Sequence, residues 1–220
     1  MSTSEMFAAG GIVMWPLLVF SIAVLILTIE RAVFWLRIRR RQRPLIKRVL
    51  TLYRDDPSAA IALLKKSLSF PIARIFLEAL EVEAASPNQF RLALEGGTHA
   101  EIPLLKRFSS VFQTVIAIAP LLGLLGTILG LIRSFSAVQI GEMGANADAV
   151  TGGISEALVS TAAGMVVAIF ALAVFNIFRA LYRRQLSLLQ EYSSQLEILY
   201  ERHHTRYEYS KDPAYASVQR

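Results

Sequence analysis

Three side chains stand where polar chemistry is rare: Thr127, Thr161 and Glu156, each in or at the end of a long uncharged run. At ~1.5 Å of rise per residue, Thr127 lies ~9 Å inside Arg133 and Thr161 ~7.5 Å inside Glu156. On antiparallel helices the two hydroxyls therefore fall at about one depth, and where their helix faces share an interior they form a polar level in an apolar wall. An ionised carboxylate at membrane depth costs on the order of 3 kcal/mol, so Glu156 calls for a partner, a cavity or water. Buried there it would respond to protons, because low dielectric disfavours its charged form. A plainer reading stands beside this one. Membrane threonines commonly bond a carbonyl of their own helix, and a glutamate at a span boundary also serves as an ordinary interface residue.

What is missing constrains the chemistry equally. No Asp, Glu, His, Lys or Arg lies in the middle of any of the three uncharged runs. A proton relay needs a titratable group there. If protons cross, another polypeptide must bring the carboxylate.

The element that positions Thr127 is the stretch APLLGLLGTILG (Ala119–Gly130). Pro120, Gly123, Thr127 and Gly130 recur every three or four residues, one narrow stripe on a helix, with Gly126 beside it. Lipid gives no reason for a row of small residues, whereas close approach of another backbone does. Ala157, Ser160/Thr161, Gly164 and Ala168 make a second such stripe. We expect these residues to pack helices and to wall a pore, and Pro120 to kink its helix.

The charge-free run Ile12–Ile29 spans ~27 Å, close to a ~30 Å hydrocarbon core. Acidic Glu5 before it and Arg31 after it reverse the order of a cleaved signal peptide. Trp15 and Trp35 suit the two interfaces. Arg37, Arg39, Arg40, Arg41 and Arg43 follow, which sets that side as cytoplasmic; Arg39, Arg40 and Arg41 are also placed to meet anionic headgroups. Arg179, Arg183 and Arg184 repeat the signal after the third run. The expected order is an outer N-terminus (1–11), span one (12–35), a cytoplasmic helical region (36–107), span two (108–132), an outer loop made turn-rich by Gly141, Gly144, Gly152 and Gly153 and net acidic by Glu142 and Asp148 (133–155), span three (156–178) and a cytoplasmic tail (179–220). That is an all-α membrane protein with three transmembrane helices, long cytoplasmic helical extensions, and N-out/C-in topology. Asp56-Pro57, Ser69-Phe70-Pro71 and Ser86-Pro87 mark three cytoplasmic helix starts. Gly96-Gly97 and Pro103 are expected to interrupt the helix leading into span two, with His99 in a solvated loop beside them. Residues beyond Arg202 are expected to be disordered.

Composition excludes several classes. The chain of 220 residues is 54% hydrophobic and has no cysteine, which removes disulfides, thiolate metal sites and cysteine nucleophiles. The net charge of +6 sits beside the apolar runs, the pattern of topology rather than of nucleic-acid binding. No nucleophile–base pair, metal-ligand cluster or phosphate loop is present, so no enzyme, metal or cofactor is expected.

The ordered pair APLLGLLGTILGLIRSF (Ala119–Phe135) and GISEALVSTAAGMVVAIFALAVFNIF (Gly153–Phe178), following a cytoplasmic insert, resembles the MotA/TolQ/ExbB proton-channel family. Three spans rather than four are similar to the ExbB and TolQ branches, ExbB preferred over TolQ. The resemblance implies a homo-pentamer in the bacterial inner membrane. Its pore would hold the helices of a dimeric, single-span ExbD-like partner whose aspartate carries the proton. It also implies that Thr127 and Thr161 are the pore threonines, that Glu156 is the third-helix glutamate, and that proton-motive force energises a TonB-like protein for uptake across the outer membrane. A TolQ-like role in the Tol-Pal envelope system, or a non-conducting scaffold whose stripes merely pack helices, are the alternatives.

Overall fold

A computed structural model describes residues 11–82, 85–140 and 146–211, and every regular element among them is helical. In chain order these are α1 (Met14–Asp55), α2 (Pro57–Lys65), α3 (Pro71–Leu80), α4 (Pro87–Leu105), α5 (Ser109–Ile140) and α6 (Asn146–Lys211). α1, α5 and α6 are each long and apolar enough to cross a membrane. The chain divides into two compact units, Met1–Ala32 with Phe108–Arg179 and Val33–Arg107 with Ala180–Arg220.

The first unit carries the three apolar stretches. Its core is a thin seam of Val13, Leu17, Val24, Phe112, Val115, Ala119, Ala168, Ala171 and Val174. Outside that seam Val19, Ile26, Leu121, Leu158, Val166 and Ile169 are all more than half exposed, which in water would be untenable for so many large apolar groups and in lipid is the favoured state. Pro16 stands in the first turn of α1, where its missing N–H has no helical partner to lose. Pro120 lies inside α5, which runs on through it. Arg31 is buried at 3% exposure; its Nε donates to Glu30 at 2.6 Å, and its guanidinium stands 5.5 Å over the Phe108 ring.

The interruption before α5 falls elsewhere than at the glycine pair. α4 is continuous through Gly96, Gly97 and Pro103, and His99 is an exposed helical residue. The break comes at residues 106–108, where Phe108 takes a left-handed φ of 66°. For a bulky residue that conformation costs about 1–3 kcal/mol, compatible with a ring half-buried against the apolar seam. Gly97 is instead a contact residue: a Cβ there would stand 3.4 Å from the Ile75 Cα of α3.

The second unit is organised on α3, whose Ile72, Ala73, Ile75, Phe76, Leu77 and Ala79 are all buried. Its helix starts follow the proline pairs. Asp56 accepts from the Ser58 and Ala59 N–H groups at 2.9 and 3.1 Å, and Ser86 with Gln89 forms a reciprocal capping box before Pro87. Arg74 grips Glu101 through two nitrogens and donates a third bond to the Leu68 carbonyl at 2.6 Å, tying α3 to α4. On α1 the buried positions Trp35, Ile38, Gln42, Ile46, Val49 and Tyr53 repeat every three or four residues, as do Gln185, Leu189, Tyr192 and Leu196 on α6. The Trp35 side chain is therefore packed within protein at 6% exposure, while Trp15 is 63% exposed.

α6 continues to Lys211, past Arg202 where order was expected to end. Ring packing extends it: His203 meets Tyr53 edge-on at 5.4 Å, and Tyr200 stacks on Phe90 at 3.9 Å while donating to the Ala85 carbonyl at 2.7 Å. The expected outer loop is also shorter than 133–155, since α5 reaches Ile140 and α6 begins at Asn146. Gly152 and Gly153 lie within α6, and Gly153 packs on α5. The readings that placed Glu5, Gly141, Glu142 and Gly144 fall outside the described residues, as does the side chain of Asp148.

Candidate functional site

The two small-residue stripes meet each other. Gly123, Gly126 and Gly130 of α5 are buried against α6, and a Cβ on any of them would collide. At Gly123 it would stand 3.0 Å from both the Ser160 carbonyl oxygen and the Thr161 Cα; at Gly130, 2.7 Å from the Gly153 carbonyl oxygen. At Gly126 it would strike the Ser160 hydroxyl. From the other side, a Cβ on Gly164 would come within 2.5 Å of the Ala119 carbonyl oxygen. The glycines thus bring α5 and α6 of one chain into backbone contact, the geometry that small residues permit in a membrane. Pro120 is half-buried beside this contact, next to Ala119.

That closeness lets hydroxyls reach across. Thr161 Oγ1 donates to the Gly123 carbonyl at 2.9 Å, a bond from α6 to α5. Ser160, fully buried, donates to Ala157 at 2.9 Å on its own helix and lies 3.4 Å from the same Gly123 oxygen. Thr127 Oγ1 donates to the Leu124 carbonyl at 2.6 Å, within α5. The two threonines therefore engage consecutive carbonyls on one turn of α5, and both side chains stay partly exposed. A carbonyl only accepts, so each hydroxyl has committed its proton. What each has left to offer is lone pairs.

Glu156 is one half of an ion pair. Arg133 Nη1 donates to its two oxygens at 2.6 and 2.9 Å, joining the C-terminal part of α5 to the N-terminal part of α6. The glutamate is the more sheltered partner, with 18% of its side chain exposed against 55% for Arg133. It also packs against Gly11, where a Cβ would overlap its carboxylate and where φ is +69°. Arg39, Arg40 and Arg41 lie in the second unit and line two different hollows: Arg39 a cavity with Arg43 and Arg184, Arg40 and Arg41 a separate groove beside Ser69 and Phe70. Among the described residues no group of three His, Cys, Asp or Glu is placed to hold a metal.

Three participants escaped the sequence reading. Arg133 was visible only as the end of a span. Gly153 was read as a turn residue. Ser134, whose Oγ lies 3.1 Å from the Gly130 carbonyl and 3.2 Å from the Val150 carbonyl, continues the stripe four residues beyond Gly130, and that spacing was the available signal.

Comparison with known proteins agrees with this helix pair. The family model described as MotA/TolQ/ExbB proton channel family matches residues 67–191. A putative biopolymer transport protein named ExbB-like 3, from Synechocystis sp., is 59% identical over 197 residues, covering 89% of this chain and 94% of the relative. ExbB-like 1 from the same organism is 40% identical over 196 residues, 88% of this chain and 77% of the relative. The biopolymer transport protein ExbB of Xanthomonas campestris pv. campestris is 34% identical over 151 residues, 60% of this chain and 59% of that protein. The matched segment contains both small-residue helices and the cross-helix threonine, and on these grounds the chain belongs to the MotA/TolQ/ExbB proton channel family.

Proposed function

We propose that this chain is the multi-pass subunit of an inner-membrane proton channel. It assembles as a homo-pentamer, N-out and C-in, around the membrane helices of a single-span ExbD-like dimer, and uses the proton-motive force to energise a TonB-like protein. The observation that carries the reading is the pair of hydroxyls on consecutive α5 carbonyls, Thr161 on Gly123 and Thr127 on Leu124, in spans without a titratable group at mid-depth. Hydroxyls whose protons are committed accept hydrogen bonds. They suit a carboxyl group that arrives protonated and neutral, which is the form a partner's aspartate must take to pass through an apolar wall. The partner's helix would meet the face on which both threonines remain partly exposed, rather than the glycines, which α6 already covers. Glu156, held by Arg133, would set the charge at the outer mouth.

The glycine contacts favour one rival, a scaffold in which small residues only pack helices. Substitution separates the two. Thr161→Val and Thr127→Val keep side-chain volume, so a scaffold would tolerate both. The channel reading expects each to abolish energised uptake while the assembly still forms with its partner; full uptake in either variant would remove that threonine from the pathway.

A further inference from the structure

Within the second unit, α1 and α6 enclose a cavity of about 150 Å³ whose walls differ in character. Arg39, Arg43 and Arg184 line it, three cations from two helices, all exposed and, among the described residues, none with an ion-pair partner. Glu191 borders the adjoining groove with Arg43 and Lys47. Trp35 also lines the cavity; it is 6% exposed, and its indole N–H is buried without an acceptor. A buried donor left unmatched is costly and calls for an explanation. Gln185 donates to Gln42 at 2.9 Å, leaving the Gln42 amide nitrogen as a further donor in the lining. The remaining walls include apolar Ile38, Leu181 and Leu188.

Three cations, spare N–H donors and an apolar side match one kind of molecule: an acceptor-rich anion attached to a hydrocarbon body. Along α1, Trp35 lies six residues beyond Ile29, the last residue of the first uncharged run, or ~9 Å at ~1.5 Å per residue. That is headgroup level on the side bearing the basic block. We propose that this cavity is a built site for a phosphoryl group, filled by the headgroup of an anionic glycerophospholipid. Arg39, Arg43 and Arg184 hold the phosphate oxygens, and the cavity's N–H donors contribute to the same set of acceptors. The site differs from the general attraction of a basic surface for a membrane, because Arg37, Arg40 and Arg41 belong to the same basic block yet line a different groove. It also stands apart from proton conduction.

The test reconstitutes the full chain with Trp15→Phe, leaving Trp35 as the one fluorophore of its kind. The membranes are nanodiscs of phosphatidylcholine, of phosphatidylcholine with phosphatidylglycerol, or of phosphatidylcholine with inorganic phosphate added. Phosphatidylglycerol is expected to change Trp35 emission and to remain bound in native mass spectra. The R39Q/R43Q/R184Q variant should retain at least about tenfold less of it, whereas R37Q/R40Q/R41Q, which removes equal charge from outside the cavity, should retain it within about twofold. Arg184→Gln alone, which leaves the topology-setting block of α1 intact, should lower retention several-fold. An emission change with inorganic phosphate alone, lost in the cavity variant, would support the phosphoryl site with a soluble source. Equal losses in the two triple variants, or no response to either phosphoryl compound, would overturn the proposal.

Discussion

Replacing Gly164 by alanine adds one methyl group where α6 comes closest to the backbone of α5. The new Cβ would lie 2.5 Å from the Ala119 carbonyl oxygen and 3.1 and 3.2 Å from the Gly123 Cα and N, all backbone atoms that cannot swing aside. Ordinary contacts begin at 3.4 Å, so the helices must part locally by about 3.4 − 2.5 = 0.9 Å. Added to the 2.9 Å from Thr161 Oγ1 to the Gly123 oxygen, that gives about 3.8 Å, which is no longer a hydrogen bond. Overpacking of this kind costs ~1–3 kcal/mol, from which the helical preference for alanine returns ~1 kcal/mol. With the ~1 kcal/mol of the lost Thr161 hydrogen bond added, the net is a loss of ~1–3 kcal/mol, which for a chain of this size lowers Tm by roughly 2–12 °C. Gly96→Ala is the internal control: nothing lies within 4 Å of its added Cβ, so the same chemical change in α4 should be neutral or raise Tm. Thermal unfolding of the two variants in one detergent compares them directly. A Gly164→Ala protein as stable as the parent would refute the close backbone contact.

Two further predictions follow from the second unit. Gln42→Leu strands the buried Gln185 amide and should cost ~1–3 kcal/mol, while the Gln42→Leu/Gln185→Leu pair should recover most of it; thermal unfolding of the double-mutant cycle reads the coupling. Burial, with the neighbouring Tyr200 phenol adding to it, pushes the Tyr53 hydroxyl up to about 12. Its proton is therefore held more tightly in the folded chain than in the unfolded one, so its stabilising effect is complete below about pH 10 and is lost as pH rises through 12. Ultraviolet titration against a Tyr53→Phe variant should show one late-ionising phenol missing.

Much of the fold was legible because its signals are local. Uncharged runs long enough to span lipid need no partner to be recognised, and Asp56-Pro57 and Ser86-Pro87 carry their own capping chemistry. Features that depend on a distant neighbour were not. Gly96-Gly97 looks like a break, yet Gly97 is a buried helical residue packed on α3, and the real break at Phe108 has no glycine to announce it. His203 reads as polar tail until Tyr53 supplies the face it packs on. At the candidate site, helix rise alone singles out Thr127 and Thr161 as a pair, and both bond carbonyls of one turn of α5. That the glycine stripe faces this chain's own α6, and that Arg133 holds Glu156, required knowing how the two helices are paired.

On the proposed function this chain supplies a hydroxyl-lined wall but no mid-span carboxylate of its own, so that it conducts protons only with a partner. Proton flux into liposomes carrying a pH-sensitive dye tests it most directly, with the chain alone, with a co-expressed single-span partner bearing a membrane aspartate, and with that partner plus Thr161→Val. No flux above protein-free liposomes is expected for the chain alone, clear flux with the partner, and its loss in Thr161→Val although the complex still assembles. Flux through the chain alone, or undiminished flux through the assembled Thr161→Val complex, would contradict it.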